Sequence, residues 1–202
     1  MPLYSFAQYN GEDIIPNDMS FSIEYNTQIS TSPLNGSIQT VEIPGARWKA
    51  RFSYSGLTSP EANALIAWLA KLRGMAGRFV VYDFGQPTTA NGTTVGTVSS
   101  VQAVGGENLV TFTGLDAELE VGDKFSIQGE NELKVVVQKD SATQYLVEPS
   151  FRRDYGFYSS VTAKFGKDAL CRMMLTSDDQ ATRATTEKIL LGNVVVDAME
   201  VF

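Results

Sequence analysis

Histidine is absent from all 202 residues, and cysteine occurs once, at Cys171. The first absence removes Ser-His-Asp and Cys-His nucleophilic pairs, nearly all catalytic zinc sites and the commonest general acid or base. The expectation is therefore a non-enzymatic chain with no cofactor and no metal. Cys171 lies in the apolar run ALCRMML without a base beside it, and reads as a buried small hydrophobe. Basic residues are also short: 16 Lys and Arg stand against 23 Asp and Glu, for a net charge of -7. Phosphate backbones and anionic lipid repel such a chain, so no nucleic acid and no membrane surface is expected as a partner. No segment approaches the roughly 18 apolar residues that span a bilayer. The opening MPLYSFAQYN has neither a basic start nor an apolar stretch, so no signal peptide is predicted, and synthesis and folding are expected in the cytosol.

What is present is ordinary globular material. Hydrophobic residues make up 43% and charged residues 19%, enough apolar mass for one large domain or two small ones. The first third reads as strands: residues 3–9, 19–26, 37–43 and 46–57 are rich in β-branched and aromatic side chains. Phe21, Ile23 and Tyr25 fall on every second position, as do Trp48, Ala50, Phe52 and Tyr54. That period marks strands with one buried face. Pro44-Gly45 reads as a turn or break between two of them.

The period then changes to that of a helix, predicted over 59–73. Thr58 or Ser59 can cap it, Pro60 suits its first turn, and Glu61 is placed for a capping box with Thr58. Leu65, Trp68, Leu69 and Leu72 form one apolar stripe. Gly74 supplies a stop. Residues 77–84 return to strand. GQPTTANGTT (85–94) is a polar linker, followed by short, regularly punctuated strands that read as a small β-barrel or sandwich. The predicted fold is mainly β: a β-sandwich-like domain with one helix (1–84 and 160–202), interrupted by an inserted β-barrel-like domain (88–155). Residues 178–188 read as a polar loop, and 189–202 as a closing strand or pair of strands belonging to the first domain's sheet.

Chemistry-bearing patterns are few. Gly-Lys-Asp (166–168) is a lone tripeptide and reads as a turn. Gly-Glu-Asn-Glu (129–132) and Asp178-Asp179 are too sparse for a calcium loop and read as solvated turns. Paired carboxylates can cleave glycosidic bonds, and Asp116, Glu118, Glu120 and Asp123 lie together in LDAELEVGD. The plainer reading is a solvated loop before a strand. FRRDYGFY (151–158) gathers Phe151, Tyr155, Phe157 and Tyr158 beside Arg152, Arg153 and Asp154. It reads as an interdomain seam with snorkelling arginines. Alternatively it is a protein–protein contact centred on Arg152, Arg153, Tyr155 and Phe157, since aromatics and arginine are favoured at interface hot spots.

Residues 40 to 85, IPGARWKARFSYSGLTSPEANALIAWLAKLRGMAGRFVVYDF within that stretch, resemble the core of siphophage distal tail (Dit-like) and related minor tail proteins. The shared pattern is a strand with a central Trp, a capped helix after S-P-E-A, then L-R-G-x-x-G-x-F leading into a strand. Gly122 to Ile127 (G-D-x-F-x-I) is similar to inserted β-domains in such proteins. These are packing and capping residues. The resemblance implies a virion protein of a long-tailed bacteriophage, made in the host cytoplasm. Six copies would form a ring joining the tail tube to the baseplate or tip hub. The implied partners are further copies of the chain, the tail tube protein, the hub protein, and tail fibre or decoration proteins. Residues 26–37 and 178–188, with few apolar residues and no period, are expected as adapter arms that order on assembly. Two other readings are carried: a carbohydrate-binding adsorption module, which predicts an exposed aromatic platform, and a tail glycosidase, which predicts facing carboxylates with at least one raised pKa. A tail-tube or head–tail joining protein is a close variant of the first.

Overall fold

A computed structural model describes residues 2–98, 103–155, 161–179, 185–186, 190–191 and 194–202. In chain order its elements are β1 (Leu3–Tyr4), β2 (Gln8–Tyr9), β3 (Glu12–Asp13), β4 (Asp18–Thr31), β5 (Ile38–Tyr54), α1 (Ser59–Leu72), β6 (Arg78–Val81), β7 (Thr97–Val98), β8 (Leu109–Thr113), β9 (Lys124–Ile127), β10 (Leu133–Lys139), β11 (Gln144–Glu148), β12 (Val161–Phe165), β13 (Cys171–Leu175), β14 (Thr185–Thr186), β15 (Leu190–Leu191) and β16 (Val194–Glu200). The described residues are mainly β, with one α-helix and a small closed barrel.

Six strands form one sheet in the order β1-β6-β13-β16-β5-β4. Only β1 and β6 run parallel; the other pairs are antiparallel. Alternation in sequence becomes alternation in burial. On β5, Trp48, Ala50, Phe52 and Tyr54 point inward while Lys49, Arg51 and Ser53 face the other way. On β16, Val194, Val196, Ala198 and Glu200 take the inner face. The α1 stripe of Ala62, Leu65, Trp68, Leu69 and Leu72 packs on this face. The chain between β1 and β2 is drawn in with it, which divides the strand expected over 3–9. Phe6 sits 5.2 Å from Phe52 and 5.3 Å from Trp68, and the Trp68 indole donates to the Ser5 carbonyl at 2.9 Å.

The helix begins as its sequence dictates. The Thr58 amide donates to the Glu61 carboxylate at 2.9 Å, and the Thr58 hydroxyl to the same oxygen at 2.6 Å. It ends one residue early, because Arg73 already adopts the left-handed region (φ 54°), followed by Gly74 (φ 64°). A Cβ at Gly74 would collide with Asp178, whose carboxylate accepts the Met75 amide at 2.8 Å.

Two expectations about the first domain are corrected. Pro44-Gly45 does not separate two strands; β5 runs through it. The register slips between Glu24 and Asn26, so Pro44, Gly45 and Ala46 lie opposite Tyr25 alone. A bulge absorbs the missing proline N–H, and Gly45 at φ 131° takes the bend. Residues 26–37, expected as an aperiodic arm that orders on assembly, are already folded in the single chain. They are the distal half of a β4–β5 hairpin, paired from Asn26↔Ile43 to Thr31↔Ile38 and closed by Ser32–Ser37. Thr and β-branched residues on both strands make this pairing possible without any apolar period.

The strands β7–β8–β11–β10–β9–β12 close into a six-stranded antiparallel barrel. Its interior is filled by Val98, Val110, Phe112, Phe125, Ile127, Val136, Tyr145, Val147 and Phe165, so it is a packed core and not a pore. The return to the sheet, predicted at residue 160, is corrected. Val161–Phe165 closes the barrel by pairing with both β7 and β9, and the chain re-enters the sheet at Cys171. Period alone cannot say which sheet a strand joins. Thr185–Thr186, within the region expected as a polar loop, pairs with Leu190–Leu191 of the expected closing segment.

The barrel is seated on the sheet's inner face. Leu133 of β10 is fully buried in the sheet's core, with Val135 packed beside it. The Trp48 indole donates to the Leu133 carbonyl at 2.8 Å, and the Arg172 amide to the Asn131 carbonyl at 3.0 Å. Lys124 pairs with Asp83 at 2.6 Å. Leu133→Ala is expected to destabilise the protein by about 2–5 kcal/mol, measured by urea denaturation.

Candidate functional site

The FRRDYGFY segment leads into the seam between sheet and barrel. Phe151 and Tyr155 are buried in the barrel core with ring centroids 5.8 Å apart. Between them Arg152 turns back toward the sheet. Its Nη2 donates to the Ala46 carbonyl at 2.8 Å and lies 3.7 Å from Glu200 Oε2, while its Nε lies 3.6 Å from Glu132 Oε1. Glu132 holds Lys134 at 2.6 Å and accepts the Tyr155 hydroxyl at 2.7 Å. Lys134, fully buried, also donates to the Ser150 carbonyl at 2.8 Å. Glu200 accepts the Trp48 amide at 3.1 Å. Two cations and two carboxylates thus share one water-poor seam. Arg153 stands outside it, paired with Glu130 and lying over the Tyr155 ring. Phe157 and Tyr158 lie outside the described residues.

Burial sets the electrostatics. It pushes the Glu200 carboxyl up to about 6, against the Trp48 amide, Lys134 and Arg152, which favour the charged form. It pushes Lys134 down, with Glu132 opposing. The Tyr155 hydroxyl is raised by burial and then by Glu132. The Cys171 thiol, fully buried beside Glu200, is raised well above its ordinary value. The cluster's arginine was legible in the sequence; Glu132, Lys134 and Glu200 were not. Glu132 sits in a stretch that reads as a solvated turn, yet it is buried. Glu132 and Lys134 are two residues apart and so share one face of β10's line, but nothing in that spacing says the face is covered.

The acidic stretch resolves into turn architecture. Asp116 accepts the Thr94 and Val95 amides and the Thr94 hydroxyl, which together hold its carboxyl down at about 2. Lys139 bridges Glu118 at 2.9 Å and Glu120 at 3.1 Å. Glu120 is lowered by Lys139 and Asn91. Asp123, buried, accepts the Ala90 amide at 2.8 Å and the Glu120 amide at 2.9 Å. A glycosidic acid needs a raised carboxyl, and the resolved shifts in this stretch run the other way. The Phe151 and Tyr155 rings, being core, offer no stacking face to a sugar.

A second surface is the hairpin arm. Apart from the half-buried Ser32, every residue from 24 to 44 is exposed. Tyr25, Ile29, Leu34, Ile38, Val41 and Ile43 are among them, Leu34 at the tip 95% so. The tip is well formed: Gly36 and Ser32 amides donate to the Ser32 and Ser37 carbonyls at 3.0 and 2.8 Å. β16 covers β5 only from Lys49 to Tyr54. Among the described residues, the arm therefore has both faces bare and both backbone edges unpaired by a strand.

No family model matches this chain, and no curated protein matches it.

Glu200 gives the seam a pH dependence with a definite sign. Its folded value, about 6, lies above the ordinary 4.5, so the folded chain holds a proton that the unfolded chain releases earlier. Stability from this group is full below about pH 4.5 and is lost as pH rises through about 6. Glu200→Gln is expected to flatten that loss, read as a smaller fall in urea midpoint between about pH 5 and pH 7 than in the unsubstituted protein.

Proposed function

We propose that this chain is a structural subunit of a long-tailed bacteriophage virion, a ring protein of the distal tail that links the tail tube to the baseplate or tip hub. The observation that carries the reading is the β4–β5 arm. A subunit whose sheet and barrel are otherwise well packed holds out a hairpin with exposed isoleucines and free edges. Isolated two-stranded hairpins are marginal in water, and an unguarded edge invites pairing with another chain. An assembly subunit has a use for such a surface.

The resemblance over residues 40 to 85 adds to this. Those residues build β5's inner half, α1 and β6, the part that holds the sheet together. In the proposed assembly, ring contacts come from the sheet domain. The barrel, fixed to it through Trp48, Leu133 and the ionic seam, stands toward neighbours or decoration proteins without hinging.

Purified protein is expected to show a light-scattering mass rising with concentration toward about six subunits, with rings in negative-stain images. A monomer at every concentration would count against the ring reading, and glycan-array binding by that monomer would favour an adsorption module.

A further inference from the structure

We infer that the arm of one copy docks on the opposite sheet edge of the next copy, with Leu34 seated in the groove between β1 and the end of α1. This rests on the ring reading above and names the two surfaces that would build it. The strand order places the arm and the groove at opposite ends of the sheet: β4 and β5 at one, β1 at the other. Contacts between two different surfaces on opposite flanks propagate head to tail and close into rings, whereas one surface meeting itself stops at a dimer.

The groove has the character the tip requires. It is a cavity of about 580 Å³ whose lining includes Tyr4, Lys71, Leu72, Arg73, Ala76 and Gly77. Lys71 lies 4.7 Å from the centre of the Tyr4 ring. Beside it, Leu3 and Met75 are exposed. β1 is only two residues long and, among the described residues, pairs with β6 alone, so its outer edge is open to an added strand.

Charge favours the same pairing. Each chain carries a net charge of -7, so two copies repel unless they meet through patches of other character. From Glu24 to Pro44 the arm has two charges, both acidic: Glu42, and Glu24, which is paired with Lys49. The groove lining has two cations and no carboxylate. The arm is also large enough: residues 24–44 approach the roughly 20–30 residues a side of a stable protein interface.

The test uses the full chain. Leu34→Cys and Ala76→Cys place thiols on exposed positions of arm and groove, while Cys171 is buried. Under mild oxidation the double variant is expected to give a disulfide ladder ending at the ring's subunit number, and an equimolar mixture of the single variants only a dimer. Leu34→Asp, at a site 95% exposed, is expected to leave the melting temperature unchanged. It should raise the concentration for half-assembly by at least about tenfold. Rings that persist in Leu34→Asp without cross-linking in the double variant would overturn this docking and leave the ring reading standing. Disulfide dimers from Leu34→Cys alone would show arm meeting arm and overturn it. An unsubstituted protein that is monomeric at every concentration would overturn both.

Discussion

The indole of Trp48 is the point on which the architecture turns. Its ring belongs to the sheet's inner face, its N–H is taken by the Leu133 carbonyl of the barrel, and its backbone amide is taken by Glu200 of the neighbouring strand. One residue therefore joins three elements that are far apart in sequence. Without that hydrogen bond the buried Leu133 carbonyl would lose the donor it faces, a cost of about 1–3 kcal/mol. Lys124 lies over the same ring, so the indole's face is used as well as its edge.

Around this point the chain buries charge. Glu132, Lys134, Arg152 and Glu200 are drawn out of water together, and the desolvation cost of such a group offsets much of its mutual attraction. The benefit is better read as orientation than as stability. Apolar contact between barrel and sheet tolerates sliding; hydrogen bonds from Arg152 to Ala46, Trp48 to Leu133 and Arg172 to Asn131 do not. An unpaired member in any other docking would leave a buried charge uncompensated. A subunit that must present its barrel at a fixed angle to its neighbours gains from that rigidity, and the proposed ring asks for it.

The arm is the counterpart of the seam. Where the seam hides charge, the arm exposes apolar side chains and backbone edges. Both depart from what a solitary globular protein needs, and in opposite senses. The seam's charges pair with one another inside the chain, while the arm's apolar side chains face outward.

Much of the sheet domain was legible because its signals are local. Period two on β5, the Thr58–Glu61 cap, and the stripe from Leu65 to Leu72 depend on residues a few positions apart, and the structure uses each as read. The strand character of Val161–Phe165 and Val194–Glu200 was equally plain. Val194–Glu200 joins the first domain's sheet as read, but the barrel membership of Val161–Phe165 was not plain, since alternation reports that one face is covered and not by what. The same limit hid the seam. Glu132 and Lys134 look like surface residues until β10 is laid against Trp48, and Glu200 looks like a charge at the end of an apolar strand until Arg152 arrives from 48 residues earlier. Residues 26–37 failed for the converse reason: a hairpin exposed on both faces has no apolar period to betray it. The sequence by itself determined most of the sheet domain's local elements and the absence of any histidine-dependent chemistry. Tertiary structure alone decided which charges would be buried together and which apolar residues would be left outside, because burial is a property of what packs against a face and not of the face.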